Sequence, residues 1–145
     1  KLGCWIDVTA FETGDVGYEP AAALLRYMQG DFPQDKLTIS SDGGGCLPCF
    51  DHHGHMTKMD FASSTSMTEV FYQLLDDGIN LERFLPFFTS NVAALLNFAH
   101  KGNLNIGSDA DLIVLDQANR INHVMAQGQW HIFANEIIKK GSFEN

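Results

Sequence analysis

The stretch Leu37-Thr38-Ile39-Ser40-Ser41-Asp42-Gly43-Gly44-Gly45 constrains the fold more than any other part of the chain. Its apolar, β-branched start reads as a buried strand, and three glycines directly after one carboxylate read as the loop in which that strand ends. Asp42 therefore falls at the C-terminal tip of a strand. In parallel α/β architectures reacting groups gather at that edge, because the loops there vary while the strands hold side chains rigid. An ordinary Asp-Gly turn is the plainer alternative.

A partner strand is expected in Cys4-Trp5-Ile6-Asp7-Val8-Thr9. It begins almost at Lys1, with no Met before it, and the expectation is a chain cut from something longer. Residues 10–19, with Gly14 and Gly17, make a loop long enough to carry function. Pro20 suits the first turn of a helix over 21–29, with Leu24, Leu25 and Met28 on one face and Gly30 ending it. Strand, helix and strand in this order predict one right-handed βαβ crossover with parallel strands. Its loop edge holds both Asp42 and the 10–19 segment.

Residues 46–64 show no convincing period. Ser66 with Glu69 then reads as a capping box, followed by Met67, Val70, Phe71, Leu74 and Leu75 at amphipathic helical spacing until Gly78. Asn80 caps a short helix with Leu81, Phe84, Leu85 and Phe88 inward, which Pro86 should bend or shorten. Ser90 opens another, with Val92, Leu95, Leu96 and Ala99 as its buried stripe. These stripes are core and are assigned no ligand. Beyond Lys101 the helical period gives way to short strands in 111–116, 121–126, 130–134 and 136–140, with a turn at Gln127-Gly128-Gln129. The expectation is an α/β part over 1–100 followed by a small all-β part over 101–145.

Charge and cysteine usage narrow the partners. Acidic residues number 18 against 9 basic, a net charge of −9, and the longest basic run is Lys139-Lys140. No face is positive enough to hold nucleic acid by counterion release. No apolar run approaches the roughly 20 residues that span a bilayer, so no membrane association is expected. Three cysteines in 145 residues make no disulfide framework, which favours a reducing compartment, the cytoplasm by default.

Two constellations carry chemistry. In Cys46-x-x-Cys49-x-x-His52-His53-x-His55, thiolates and imidazoles stand at spacings that can close a tetrahedral zinc site, although the remaining His100, His123 and His131 supply no second pair. The alternative is a loop with free thiols and a solvated histidine run. The other constellation is Asp42 itself. A carboxylate at a strand tip can ligate a metal, accept a proton from attacking water and return it to a leaving group. No serine-nucleophile motif, Walker loop or G-x-G-x-x-G helix opening is present, and Gly43-Gly44-Gly45 runs into Cys-Leu-Pro, not into a helix.

A resemblance sharpens this. Thr89-Ser90-Asn91-Val92-Ala93-Ala94-Leu95-Leu96-Asn97 and then Lys101-Gly102-Asn103-Leu104-Asn105-Ile106-Gly107-Ser108-Asp109-Ala110-Asp111-Leu112-Ile113-Val114 resemble the tail of the metal-dependent amidohydrolase superfamily. There a T-x-N-P-A helix precedes K-G-x-I-x-x-G-x-D-A-D-L-V-V as the chain leaves a (β/α)8 barrel for a small β domain. Val92 replaces the common proline and Leu104 the common isoleucine. Ser40-Ser41-Asp42-Gly43-Gly44-Gly45, with Pro48 and Phe50 behind it, is similar to the end of barrel strand eight in one branch, the bacterial isoaspartyl (β-aspartyl) dipeptidases. Ile6-Asp7-Val8-Thr9 is similar to their strand seven. The resemblance covers nearly the whole chain, but only the C-terminal portion of such an enzyme.

It implies the last βα units of a TIM-type barrel in 1–100 and part of a β-sandwich domain in 101–145. It also implies a binuclear zinc peptidase that hydrolyses β-aspartyl dipeptides through a metal-bridging hydroxide, and a homo-oligomer. Asp42 matches the aspartate that ligates one of the two zinc ions and carries the proton to the leaving amine. Cys46 falls where a serine often contacts substrate, and Gly44 where asparagine is common; a thiol is the weaker donor. The family's other ligands lie upstream, and the only His-x-His here, His53-Gly54-His55, follows the aspartate. A complete barrel needs about 250 residues. The 145-residue chain alone is therefore expected to be inactive without the N-terminal part of the barrel. Three other readings stand beside this one: a different amidohydrolase such as a deacetylase or cyclic-amide hydrolase, a non-enzymatic zinc module built on Cys46, Cys49 and the His52 to His55 run, and an interaction subunit.

Overall fold

The computed structural model describes residues 3–11 and 19–141. Most of the loop expected over 10–19 lies outside the described residues. The chain divides into two compact units, Lys1–Asn91 and Val92–Asn145, and the division falls within the helix Ser90–Leu95.

In the first unit, β1 (Ile6–Thr9) and β2 (Leu37–Ser40) run parallel, with Ile6 beside Leu37 and Thr9 beside Ser40. Helix α1 (Pro20–Gln29) connects them, as the strand–helix–strand order requires. Strand alternation sends Leu37 and Ile39 to one face, where both are buried, together with Leu24 and Met28 of α1. Helices α2 (Ser66–Asp76) and α3 (Leu81–Phe88) complete that core with Val70, Leu74, Phe84 and Phe87. Phe71 packs edge-on against Phe84 and Phe88, with ring centroids 5.5 and 5.7 Å away. Each such pair contributes about 0.5–1.5 kcal/mol beyond its area. The opposite face of β2 carries Thr38 and Ser40. One face of the pair is thus an apolar floor and the other a polar ladder.

Besides the helix opened by Ser90, which ends at Leu95 and leaves Leu96 and Ala99 of its expected buried stripe exposed, local expectations are corrected in three places. The cap of α2 is Thr65, whose hydroxyl donates to Glu69 Oε1 at 3.3 Å. Ser66 is the first helical residue and is buried, its hydroxyl 2.7 Å from the carbonyl oxygens of both Ala10 and Ser63. A tertiary contact has claimed the group that the capping box would have used. In α3 the buried pair is Phe84 and Phe87, while Leu85 is 36% exposed. The Phe71–Phe84–Phe88 stack fills the interior, which turns Leu85 toward the edge. Asn80 does cap α3, accepting the Glu82 N–H at 2.8 Å, and the helix ends at Phe88, soon after Pro86 removes one backbone donor.

The third correction is a hairpin where no period was read. β3 (Cys46–Phe50) pairs antiparallel with β4 (Met56–Phe61), with Cys46 beside Phe61, Pro48 beside Met59 and a bulge at Cys49/Phe50. Directly opposed residues share a face, so Cys46, Pro48, Met59 and Phe61 line one side. Phe50 (57%) and Phe61 (67%) are exposed. With neither face of the hairpin packed on a core, its residues carry no inside–outside alternation to read.

The second unit contains a four-stranded antiparallel meander of β5 (Leu112–Leu115), β6 (Ile121–Ala126), β7 (Gln129–Phe133) and β8 (Glu136–Ile137). Gln127 and Gly128 join β6 to β7 with φ of +49° and +74°, and Ala134 and Asn135 join β7 to β8 with +50° and +67°. Two consecutive left-handed residues are the hairpin turn that matches strand twist. Lys101 lies 2.9 Å from Asp109 and also bonds Asp111, whose other oxygen accepts the Gln127 N–H at 2.6 Å. The two aspartates of the D-A-D run are thus drawn onto one lysine, and Asp111 ties that clasp to the β6–β7 turn.

Candidate functional site

The candidate site is built where β2 ends. Ser40, its last residue, is held on two sides: its carbonyl accepts the Ala10 N–H at 2.7 Å, and its hydroxyl donates to Asp7 Oδ2 at 2.6 Å. Ser41 then accepts the Gly43 N–H on its hydroxyl at 3.1 Å. Between them Asp42 adopts φ +50°, a left-handed conformation that aspartate enters more readily than most residues. The turn closes with the Gly45 N–H on the Asp42 carbonyl at 2.8 Å. Gly44 N–H donates to the Ala62 carbonyl and Ala62 N–H to the Gly45 carbonyl, both at 2.9 Å, which fastens the loop to the end of β4.

Two glycines are required by geometry. Gly44 has φ +82°, where asparagine is the side-chain-bearing residue least penalised. Gly45 is different. A Cβ on it would lie 2.8 Å from the Asp42 carbonyl oxygen and 2.9 Å from both Cγ and Oδ1 of the Asp42 carboxylate. The carboxylate is folded over Gly45 and occupies the volume a side chain would take.

Asp42 is exposed, and its carboxylate makes no side-chain hydrogen bond or ion pair with another described residue. A free, exposed carboxylate at a strand tip can accept a proton, or donate an oxygen to a hard or borderline metal. Gly44 and Cys46 lie on the same turn and hairpin start. Cys46 is exposed and paired across the hairpin with Phe61. The Gly44 N–H is spent on Ala62, so what Gly44 offers at this loop is the missing side chain.

The second constellation does not assemble. Cys46 and Cys49 are three residues apart on β3, so strand alternation sends their thiols to opposite faces. The histidines lie at the far tip of the hairpin, where the His52 and His53 rings sit tilted with centroids 3.8 Å apart and Asp51 Oδ1 accepts the backbone N–H groups of His53 and His55 at 2.8 and 2.9 Å. Among the described residues no group of three His, Cys, Asp or Glu side chains is arranged to hold a metal ion. Asp42 therefore offers one ligand, not a complete set.

Sequence reading missed Asp7. Its Oδ1 accepts the Thr38 hydroxyl at 2.7 Å and its Oδ2 the Ser40 hydroxyl, so one carboxylate spans the polar ladder of the neighbouring strand. The signal was a charged residue inside an apolar strand, which gains meaning only with the register.

Away from this loop, hydrogen bonds from Lys101 to Asp111 and Asp109 raise the lysine above its usual range. The Gln127 N–H, with Lys101 second, holds Asp111 below the ordinary aspartate range.

Residues 17–131 match the sequence model of the Amidohydrolase family. Among solved structures, the chain is similar to a β-aspartyl dipeptidase from the thermophilic, keratin-degrading Fervidobacterium islandicum AW-1, crystallised in complex with a β-Asp-Leu dipeptide. The TM-score is 0.84 at 30% identity, over 98% of this chain and 37% of that one. A second crystal structure of a β-aspartyl dipeptidase from that organism gives 0.75 at 26% identity, over 98% of this chain and 34% of that one. The chain thus spans little more than a third of the length of these relatives.

Proposed function

This chain belongs to the amidohydrolase family, and from that premise we propose that it forms the C-terminal portion of a zinc-dependent isoaspartyl dipeptidase. In this reading β1 and β2 are strands seven and eight of a (β/α)8 barrel within residues 1–100, and residues 101–145 belong to a small β domain. The barrel is completed by an N-terminal part supplying the remaining ligands, and the 145-residue chain alone is inactive. The observation that carries the reading is the exposed Asp42 carboxylate, unpaired among the described residues, at the C-terminal end of a parallel strand, in a chain that superposes along 98% of its length on a β-aspartyl dipeptidase.

The donor chemistry fits zinc: a carboxylate oxygen with no other partner among the described residues is an ordinary zinc ligand. Asp42 would hold one of two ions. When bound, zinc supplies Lewis acidity and makes water acidic enough to attack at neutral pH. Asp42 takes up the proton of the attacking water on its carboxylate and passes it to the departing amine, so the amide nitrogen leaves as a neutral amine. Gly45 keeps the carboxylate in place by leaving room for it. Gly44 and Cys46 border the substrate, the thiol donating more weakly than a hydroxyl would. Three exposed thiols fit a reducing cytoplasm, and the exposed apolar side of the β3–β4 hairpin fits a homo-oligomer.

The test is hydrolysis of β-Asp-Leu against α-Asp-Leu by the protein as its host produces it, with zinc analysis of the same sample. Selective cleavage of the β-linked peptide is expected. Cleavage of neither, with another amide preferred, would place the chain with a different amidohydrolase.

A further inference from the structure

We propose that Asp7 is a positioning residue for Asp42, acting through the Ser40 hydroxyl; this rests on the dipeptidase reading above. Register places Asp7 beside Thr38 and Thr9 beside Ser40. The Asp7 carboxylate therefore reaches diagonally, with one oxygen on its direct neighbour and the other on the residue one pleat nearer the site. Thr38 is 2% exposed and anchors Oδ1 at 2.7 Å in the buried part of the strand. Oδ2 then holds Ser40 at 2.6 Å, two positions before Asp42.

An ionised carboxylate only accepts, so both hydroxyls must donate to it and their orientations are fixed. Such charge-assisted O–H···O⁻ bonds are short and roughly twice as strong as neutral ones. Among the described residues Asp7 has no ion-pair partner; its interactions are spent on the neighbouring strand. Ser40 is thereby clamped by side chain and carbonyl at once, immediately before the backbone swings into the left-handed conformation at Asp42. The direction in which Asp42 leaves the strand follows from that clamp.

The closing experiment uses Asp7→Asn in the whole enzyme. The substitution keeps the shape but places an NH2 where an acceptor was, so one hydroxyl must reverse. Zinc affinity by chelator competition is expected to weaken about tenfold, with kcat on β-Asp-Leu at saturating zinc falling by a similar factor and KM within about twofold. Ser40→Ala is expected to match it, Ser40→Thr to restore most of kcat, and the double variant Asp7→Asn/Ser40→Ala to be no worse than either single one. Unchanged kcat and zinc affinity in a folded Asp7→Asn enzyme overturn the inference, as do additive losses in the double variant. If Asp7→Asn does not fold, wild-type kcat in Ser40→Ala overturns it. A wild-type enzyme that leaves β-Asp-Leu intact overturns the dipeptidase reading and this inference together, whereas an active wild type with an unaffected variant removes this inference alone.

Discussion

Asn91 donates its side-chain amide to the Leu37 carbonyl at 2.8 Å, and its second amide proton to the Gln34 carbonyl at the same distance. The asparagine of the T-x-N motif is 7% exposed and grips the first residue of the strand whose far end leads to Asp42. Asn91→Ala would leave two carbonyls without these donors. The expected cost is about 2–4 kcal/mol of unfolding free energy, measured by urea denaturation; a change within about 0.5 kcal/mol would show that water replaces the amide freely.

Asp42→Asn removes a proton acceptor, and with it one charged metal ligand, without breaking a side-chain bond to any other described residue. The expected result is a loss of about 10²–10⁴ in kcat with the unfolding midpoint nearly unchanged, because the carboxylate is exposed and unpaired among the described residues. Full activity on β-Asp-Leu in this variant would remove Asp42 from the mechanism.

Gly45→Ala puts a methyl group where the Asp42 carboxylate lies, and the displacement should cost roughly 10–100-fold in kcat along with about 1–3 kcal/mol of stability. A Cβ at position 44 meets no neighbouring atom and asparagine accepts this φ, so the unfolding midpoint of Gly44→Asn should stay close to wild type. Equal stability of Gly45→Ala and wild type would mean that the loop yields easily.

Lys101 and Asp111 give the second unit a pH window. Asp111 sits below its ordinary range, so its contribution is complete above about pH 4 and is lost as pH falls through the folded value. Lys101 sits above its ordinary range, so its contribution is complete below about pH 10 and is lost as pH rises through the folded value. Trp130, in a Trp5→Phe background, reports the melting of this unit. The expected profile declines at both ends, and Lys101→Met should abolish the alkaline decline. An alkaline limb that survives the substitution would trace to some other group.

How much of this was legible depended on whether the information was local. The βαβ crossover could be read because Leu24 and Met28 keep a helical period between two apolar strands, and a glycine follows each element. Asp42 could be placed because a strand ending in Asp-Gly announces its own tip. The alternation of Cys46 and Pro48 was hidden, since no buried face distinguishes one side of β3 from the other. Thr65 and Ser66 are adjacent hydroxyls, and only the position of the Ala10 carbonyl decides which one caps α2. Asp7 was illegible for the same reason: its role exists only once β1 and β2 are set side by side in register.

The close approach of Asp42 to Gly45 also bears on how such a loop can drift over generations. A non-glycine residue at position 45 brings a Cβ within 3 Å of the Asp42 carbonyl oxygen and carboxylate, so any side chain there must displace one of them. Position 44 admits little beyond glycine, asparagine and aspartate. Position 46 is under neither constraint: it is a strand residue with an exposed side chain that can change without moving the backbone.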